Sequence, residues 1–273
     1  MHSKIREYLK LETQPVATLW LDRAPEERLQ FEKGRRGCIL SLIAASAKGR
    51  VSALDHESFG CPGGGVGMGY GNQYENFPGG IDCFARFLSS GNKGYPKGEA
   101  VASALEGKAP QHFIHEYLNG EGYIKTPELV EDFMGRLGFM DIGKVTVFKP
   151  LDRVEPGEEP VVVTIFCNAD QLSALVVLCN SFQEGIDNVM SPFGAGCQSM
   201  GLLAYHQLAA ERPKAIIGLF DITARNTLKG SLGENLLSFS VPYSLFVRME
   251  EEADGSFLAR KPWQKLTGSV SAG

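Results

Sequence analysis

Read for apolar and polar positions, the chain opens with a charged segment that predicts a short amphipathic helix over Lys4–Leu11. Pro15–Leu21, PVATLWL, is almost wholly apolar and predicts a strand interior to a sheet. Pro25, followed by Glu26 and Glu27, suits the first turn of a helix, where a missing N–H costs nothing and acidic side chains meet the positive end of the dipole. Gly37–Ala47 is apolar nearly all round and stops at Lys48-Gly49, which predicts a buried helix carrying Cys38. Val51–Leu54 is a short strand delivering the chain to Ser58–Tyr70, SFGCPGGGVGMGY, a glycine-rich loop around Cys61.

The same order of signals returns. Pro160–Phe166, PVVVTIF, matches the strand at Pro15, and Asn168 with Gln171 predicts a capping box opening the helix Leu172–Phe182. Ser191–Tyr205, SPFGAGCQSMGLLAY, echoes the first glycine loop and places Cys197 where Cys61 stands. Asp82, Ala85 and Arg86 with Gly91 match Asp221, Ala224 and Arg225 with Gly230. A strand at Tyr123–Pro127 leading into Glu128–Leu137 matches Phe239–Pro242 leading into Tyr243–Met249. Four blocks in one order predict an internal duplication. The expected fold is α/β, with α+β as the alternative: a mixed sheet built from two pseudo-repeated halves, 1–150 and 151–273, packed as one domain. Arg153–Glu159 is a turn between them, with strands on either side apolar enough to share a sheet. Asn72–Gly80 and Gly91–Gly98 have no counterparts of equal length and are the expected lids or oligomer contacts.

Composition narrows the class. With 273 residues, 43% of them hydrophobic, the chain can bury a substantial core. A formal net charge of -5 without a basic stripe argues against a nucleic-acid partner. The N-terminal residues carry charge throughout, so no secretion signal is read, and no apolar run is long enough to cross a bilayer. Six cysteines at this low density point to free thiols or metal ligands in a reducing, cytoplasmic compartment.

The glycine loops concentrate the chemistry. Cys61, flanked by small or cyclic residues, is the candidate reactive thiol, its thiolate favoured by backbone N–H groups and the start of a following helix. Cys38, Cys61, Cys83 and Cys197 could gather at the junction of the halves and hold a metal or an iron–sulfur cluster, although no C-x-x-C pair is present. Cys167 and Cys179 read as core cysteines. Gly60, Gly63, Gly64 and Gly65 could aim N–H groups at a phosphate or carboxylate, with Arg86 and Arg225 as clamps. The alternative for each arginine is a pair with the aspartate four residues back. His56 could serve Cys61 as a base, and His112 and His115 could share one helix face.

The run from Pro15-Val16 through Cys38 to FGCPGG, with VFKPL at Val147–Leu151, NADQLSAL at Asn168–Leu175 and Val241-Pro242-Tyr243, resembles the uncharacterised family numbered 169 among the domains of unknown function. The resemblance covers nearly the whole chain. It implies a prokaryotic protein in which a metal or iron–sulfur site is suspected, and it implies no activity. The chain departs from the family pattern at Gly218–Arg225, GLFDITAR, where a cysteine is expected and none stands. Two readings follow. One is a metal or redox protein acting through its cysteines; the other is a non-catalytic module closing two glycine loops around a small acidic metabolite, with a homo-oligomer compatible with either.

Overall fold

The apolar runs become strands of one sheet. A computed structural model of the protein describes residues 1–35 and 37–268. In chain order, α1 (Lys4–Leu9), β1 (Val16–Leu21), α2 (Leu40–Ala47), β2 (Ser52–Leu54) and α3 (Pro62–Gly67) lead into four helices, α4 (Gly80–Leu88), α5 (Pro96–Leu105), α6 (Gln111–Asn119) and α7 (Pro127–Arg136). The chain returns through β3 (Val145–Pro150), β4 (Val162–Cys167), α8 (Ala169–Ser181), β5 (Val189–Met190), α9 (Gly196–Met200) and α10 (Leu202–Tyr205). It continues with β6 (Ala215–Gly218), α11 (Ile222–Leu232), β7 (Leu237–Pro242), α12 (Tyr243–Glu252) and α13 (Lys261–Leu266). The chain divides into two compact units, Met1–Tyr70 with Ile142–Gly273 in one and Gly71–Asp141 in the other. The Pro150–Leu151 junction lies inside the first of these.

The first unit holds the sheet, of order β2-β3-β1-β4-β7-β6-β5, antiparallel throughout except for the edge pair β5–β6. Side chains alternate across it as the pleat requires. Ala17, Leu19, Val147, Val163, Ile165, Phe239 and Val241 enter one core with residues of α1, α8, α12 and α13. Val16, Phe148 and Phe166 enter the other, with α2 and residues from α9 and α11. On this second side the sheet centre carries short polar residues, and Thr164 and Ser240 hydroxyls meet at 2.9 Å. Small side chains let helices approach closely: a Cβ on Gly218 would lie 1.9 Å from Ser199 Oγ of α9.

Several expected elements form where the pattern put them. Asn168 and Gln171 cap α8 reciprocally. The helix expected after Pro25 does not form. Arg28 Nη1 instead donates to the carbonyls of Pro25 at 2.7 Å and Glu26 at 3.4 Å, and Leu29 N–H donates to Val51 O at 2.9 Å, which draws the segment alongside β2.

The expected duplication is not confirmed. β1 and β4 are antiparallel neighbours at the sheet centre, with β3 outside one and β7 outside the other. Beyond them the halves differ, because β6 separates β7 from β5 and nothing separates β3 from β2. The expected strand at Tyr123–Pro127 is absent, since Thr126 caps α7 from a bend while Phe239 and Pro242 lie in β7. Asp82–Arg86 falls in α4 of the helical unit and Asp221–Arg225 opens α11 of the sheet unit, so a repeat of the whole chain is not established.

The helical unit, Gly71–Asp141, has an aromatic core of its own, in which Tyr74 stacks on Phe84 at 3.9 Å and Phe77 contacts Phe84, Phe87 and Tyr117 within 5.9 Å. Asn92 Nδ2 donates to Cys83 O and Tyr117 O, both at 3.0 Å. Gly91 lies where a Cβ would meet Leu118 O at 2.3 Å, so glycine is required for backbone approach at this crossing. The loops expected as lids, Asn72–Gly80 and Gly91–Gly98, are thus built into this unit's packing.

Candidate functional site

The first cysteine loop is a helix. Ser58 Oγ donates to Asp55 Oδ1 at 2.7 Å and turns the chain out of β2. Gly60 then adopts φ +77° and accepts a hydrogen bond at its carbonyl from Gly37 N–H at 3.3 Å. A Cβ on Gly60 would stand 2.4 Å from Gly37 O, so the two backbones touch, with the Phe31 ring lying against both glycines. The residues that follow this contact on the two segments are Cys38 and Cys61.

Cys61 is the N-cap of α3, extended at φ -143°, and its Sγ accepts from Gly64 N–H at 3.3 Å. Pro62 occupies the first helical turn, where its missing N–H leaves nothing unsatisfied. The glycines of α3 serve packing. A Cβ on Gly64 would meet Phe59 O at 2.7 Å, and one on Gly67 would meet Cys197 atoms from 2.7 Å. Gly201 returns the contact, 2.1 Å from Gly67 O by the same construction. Cys197 Sγ donates to Gly63 O at 3.1 Å. The two cysteine loops do meet, as short helices in backbone contact. The expected cradle of N–H groups for a phosphate or carboxylate loses two of its donors, since Gly64 N–H is spent on Cys61 Sγ and Gly65 N–H on Cys61 O. Gly63 alone of this set has open space beside it, and Gly65 is buried within α3.

Three thiols and one carboxylate act on one another here. Burial pushes the Cys61 thiol up to about 11, outweighing the Gly64 N–H that favours its thiolate, and Cys38 and Asp221 push the same way. The expectation that backbone donors leave this thiol activated is therefore reversed by desolvation. Cys38 is raised by burial and by Asp221, against the Leu40 N–H and the Thr227 hydroxyl that hydrogen-bond it. Cys197 is raised well above its ordinary value by burial first, then by Cys61, Cys38 and Asp221. All three are protonated at neutral pH.

The remaining candidates take other roles. Cys83 belongs to the helical unit, where it is buried beside Gly79 and Tyr117. Cys167 and Cys179 are core residues, as expected, with Sγ donating to Leu237 O at 3.8 Å and Asn188 O at 3.6 Å. All six thiols are free. His56 packs edge-on against Tyr70 at 4.6 Å, and His112 and His115 are exposed on α6. Neither matched arginine pairs with its own aspartate. Arg86 lies over the Tyr95 ring at 4.2 Å while Asp82 pairs with Lys97 at 3.2 Å; Arg225 donates to Leu236 O at 2.6 Å and Leu219 O at 3.4 Å. Asp221 and Thr227 join the thiols without having been singled out as partners for them. Their spacing along one helix was visible, and their partner Cys38, in the segment ahead of α2, was not.

Among the described residues no three His, Cys, Asp or Glu side chains come together to hold a metal ion. The four ligands of a zinc site or an iron–sulfur cluster are thus not gathered here, and Cys197 Sγ is turned to the Gly63 carbonyl. No helix of the described residues is long and apolar enough to cross a membrane. A family model described as Uncharacterised ArCR, domain of unknown function 169, matches residues 4–252. No curated protein matches the chain, and no solved structure does.

Proposed function

Because the chain belongs to domain-of-unknown-function family 169, which supplies no activity, we propose a function from the site itself: Cys38 and Cys61 form a two-thiol site for a soft, monovalent cation such as Cu(I). The observation that supports this reading is the Gly37–Gly60 backbone contact, after which Cys38 and Cys61 are the next residues on the two touching segments. Soft cations prefer thiolate sulfur, and a two-coordinate ion asks for no third ligand. The electrostatics support the same reading. Asp221 raises Cys38, and Cys38 and Asp221 raise Cys61, because a thiolate beside another negative group is disfavoured, and a bound cation reverses that logic. Binding releases two protons to solvent as two thiols become thiolates, leaving one net negative charge on the filled site. Affinity should therefore rise by about a hundredfold per pH unit near neutrality. Cys197 holds α3 in place from behind.

Anaerobic titration with Cu(I) against a competing chelator tests this. One equivalent should bind the full chain, and Cys38→Ser or Cys61→Ser should weaken binding by at least about a hundredfold, while Cys179→Ser leaves it unchanged. Equal affinity in all four proteins, or no uptake at raised pH, would contradict the reading.

A further inference from the structure

A second site lies on the far part of α11. There the structure forms a half-open cavity of about 200 Å³, lined by Phe166, Leu219, Leu228 and Leu236 and, on its polar side, by Arg225 with the ion-paired Lys229 and Glu234. One water needs only about 10–15 Å³ of such space, so a small organic molecule has room here. Arg225 is bound in an uneven way: Nη1 holds the carbonyls of Leu219 and Leu236, while among the described residues Nε and Nη2 donate to no protein atom. Those two donors are the side-on fork of the guanidinium, whose spacing matches the two oxygens of a carboxylate.

The backbone supplies an independent sign. Leu219 and Asn235, both lining this cavity, have φ +69° and +59°, and only one other non-glycine among the described residues, Lys10, has positive φ. A leucine adopts that conformation only under constraint, and such constraint collects at sites where geometry is held for a ligand. Here the constraint is visible, because the Arg225 guanidinium ties Leu219 O and Leu236 O together across the opening.

We infer that this cavity binds a short aliphatic monocarboxylate, its carboxylate on Arg225 Nε and Nη2 and its alkyl chain against Phe166, Leu228 and Leu236. Inorganic phosphate suits it poorly, since the apolar wall would leave further anionic oxygens unpaired. The site stands apart from the thiol reading and survives its failure. Calorimetric titration of the full chain with butyrate, butyramide and inorganic phosphate tests it. Butyrate should bind saturably, and the amide and phosphate should bind at least about tenfold more weakly. Arg225→Gln should lower butyrate affinity by a similar factor, Leu236→Trp should abolish binding by filling the cavity, and Cys61→Ser should leave it unchanged. If a variant fails to fold, the acid-against-amide comparison on the unaltered protein decides. No saturable binding by any acid from propionate to hexanoate, or butyrate and butyramide binding equally, would overturn the inference.

Discussion

At the scale of single residues, glycine carries two meanings that only neighbours separate. Six glycines from Gly63 to Gly71 could have marked a loop presenting N–H groups to a ligand, and the sequence contains nothing to tell that from a helix shaved for contact. The distances decide: Gly67 faces Cys197 where a Cβ would fall 2.7 Å from its backbone, while Gly63 faces open space. Gly67→Ala should thus cost about 1–3 kcal/mol by overpacking, and Gly63→Ala should be neutral or stabilise by up to about 1 kcal/mol, as replacing glycine in a helix does. Urea unfolding of both variants checks this; equal effects would mean the α3–α9 contact is looser than described. Cys61 shows the same limit on reading a residue alone. The start of a helix after it was legible in Pro62, but the neighbours that raise it with burial, Cys38 and Asp221, are distant in sequence.

At the scale of elements, the pattern was most readable where a segment's own residues settle its state. β1, β4 and the α8 capping box needed no distant partner to be recognised. The segment after Pro25 did, since Pro25, Glu26 and Glu27 meet every local condition for a helix start and the pairing of Leu29 with Val51 and Ala53 overrides them. The first helix offers a test of tertiary control. Glu250 on α12 accepts from Lys4 N–H at 2.8 Å, Ile5 N–H at 3.3 Å and the Ser3 hydroxyl, closing the start of α1. Burial nevertheless raises this carboxyl above its ordinary 4.5, outweighing those donors and the nearby Lys4 charge. The folded state then binds the proton more tightly than the unfolded state does. Its contribution to stability is complete below 4.5 and is lost as pH rises through the folded value. Glu250→Gln should flatten stability over that window, measured by urea midpoints from the ordinary glutamate range to neutrality; an unchanged slope would place the pH dependence elsewhere.

At the scale of the whole molecule, the sequence predicted halves and the structure has an insertion. The two matched apolar runs, Pro15–Leu21 and Pro160–Phe166, do supply the neighbouring central strands β1 and β4. The helical unit could not be seen that way, because its Asp82–Arg86 block imitates the start of α11 and its boundaries, Gly71 and Asp141, carry no linker composition. Its ends are adjacent, with Gly71 N–H donating to Met140 O at 2.9 Å, and its aromatic core is internal. A peptide of residues 71–141 should therefore unfold cooperatively on heating, with the modest stability expected of its size. A broad, non-cooperative melt would show that this core is insufficient alone. The proposed function comes down to one claim, that Cys38 and Cys61 together take up a soft cation. X-ray absorption at the copper edge of the Cu(I)-loaded full chain tests it most directly: the account predicts a shell of two sulfurs that is lost in Cys61→Ser, and a shell of three or four sulfurs, or of nitrogen and oxygen, would contradict it.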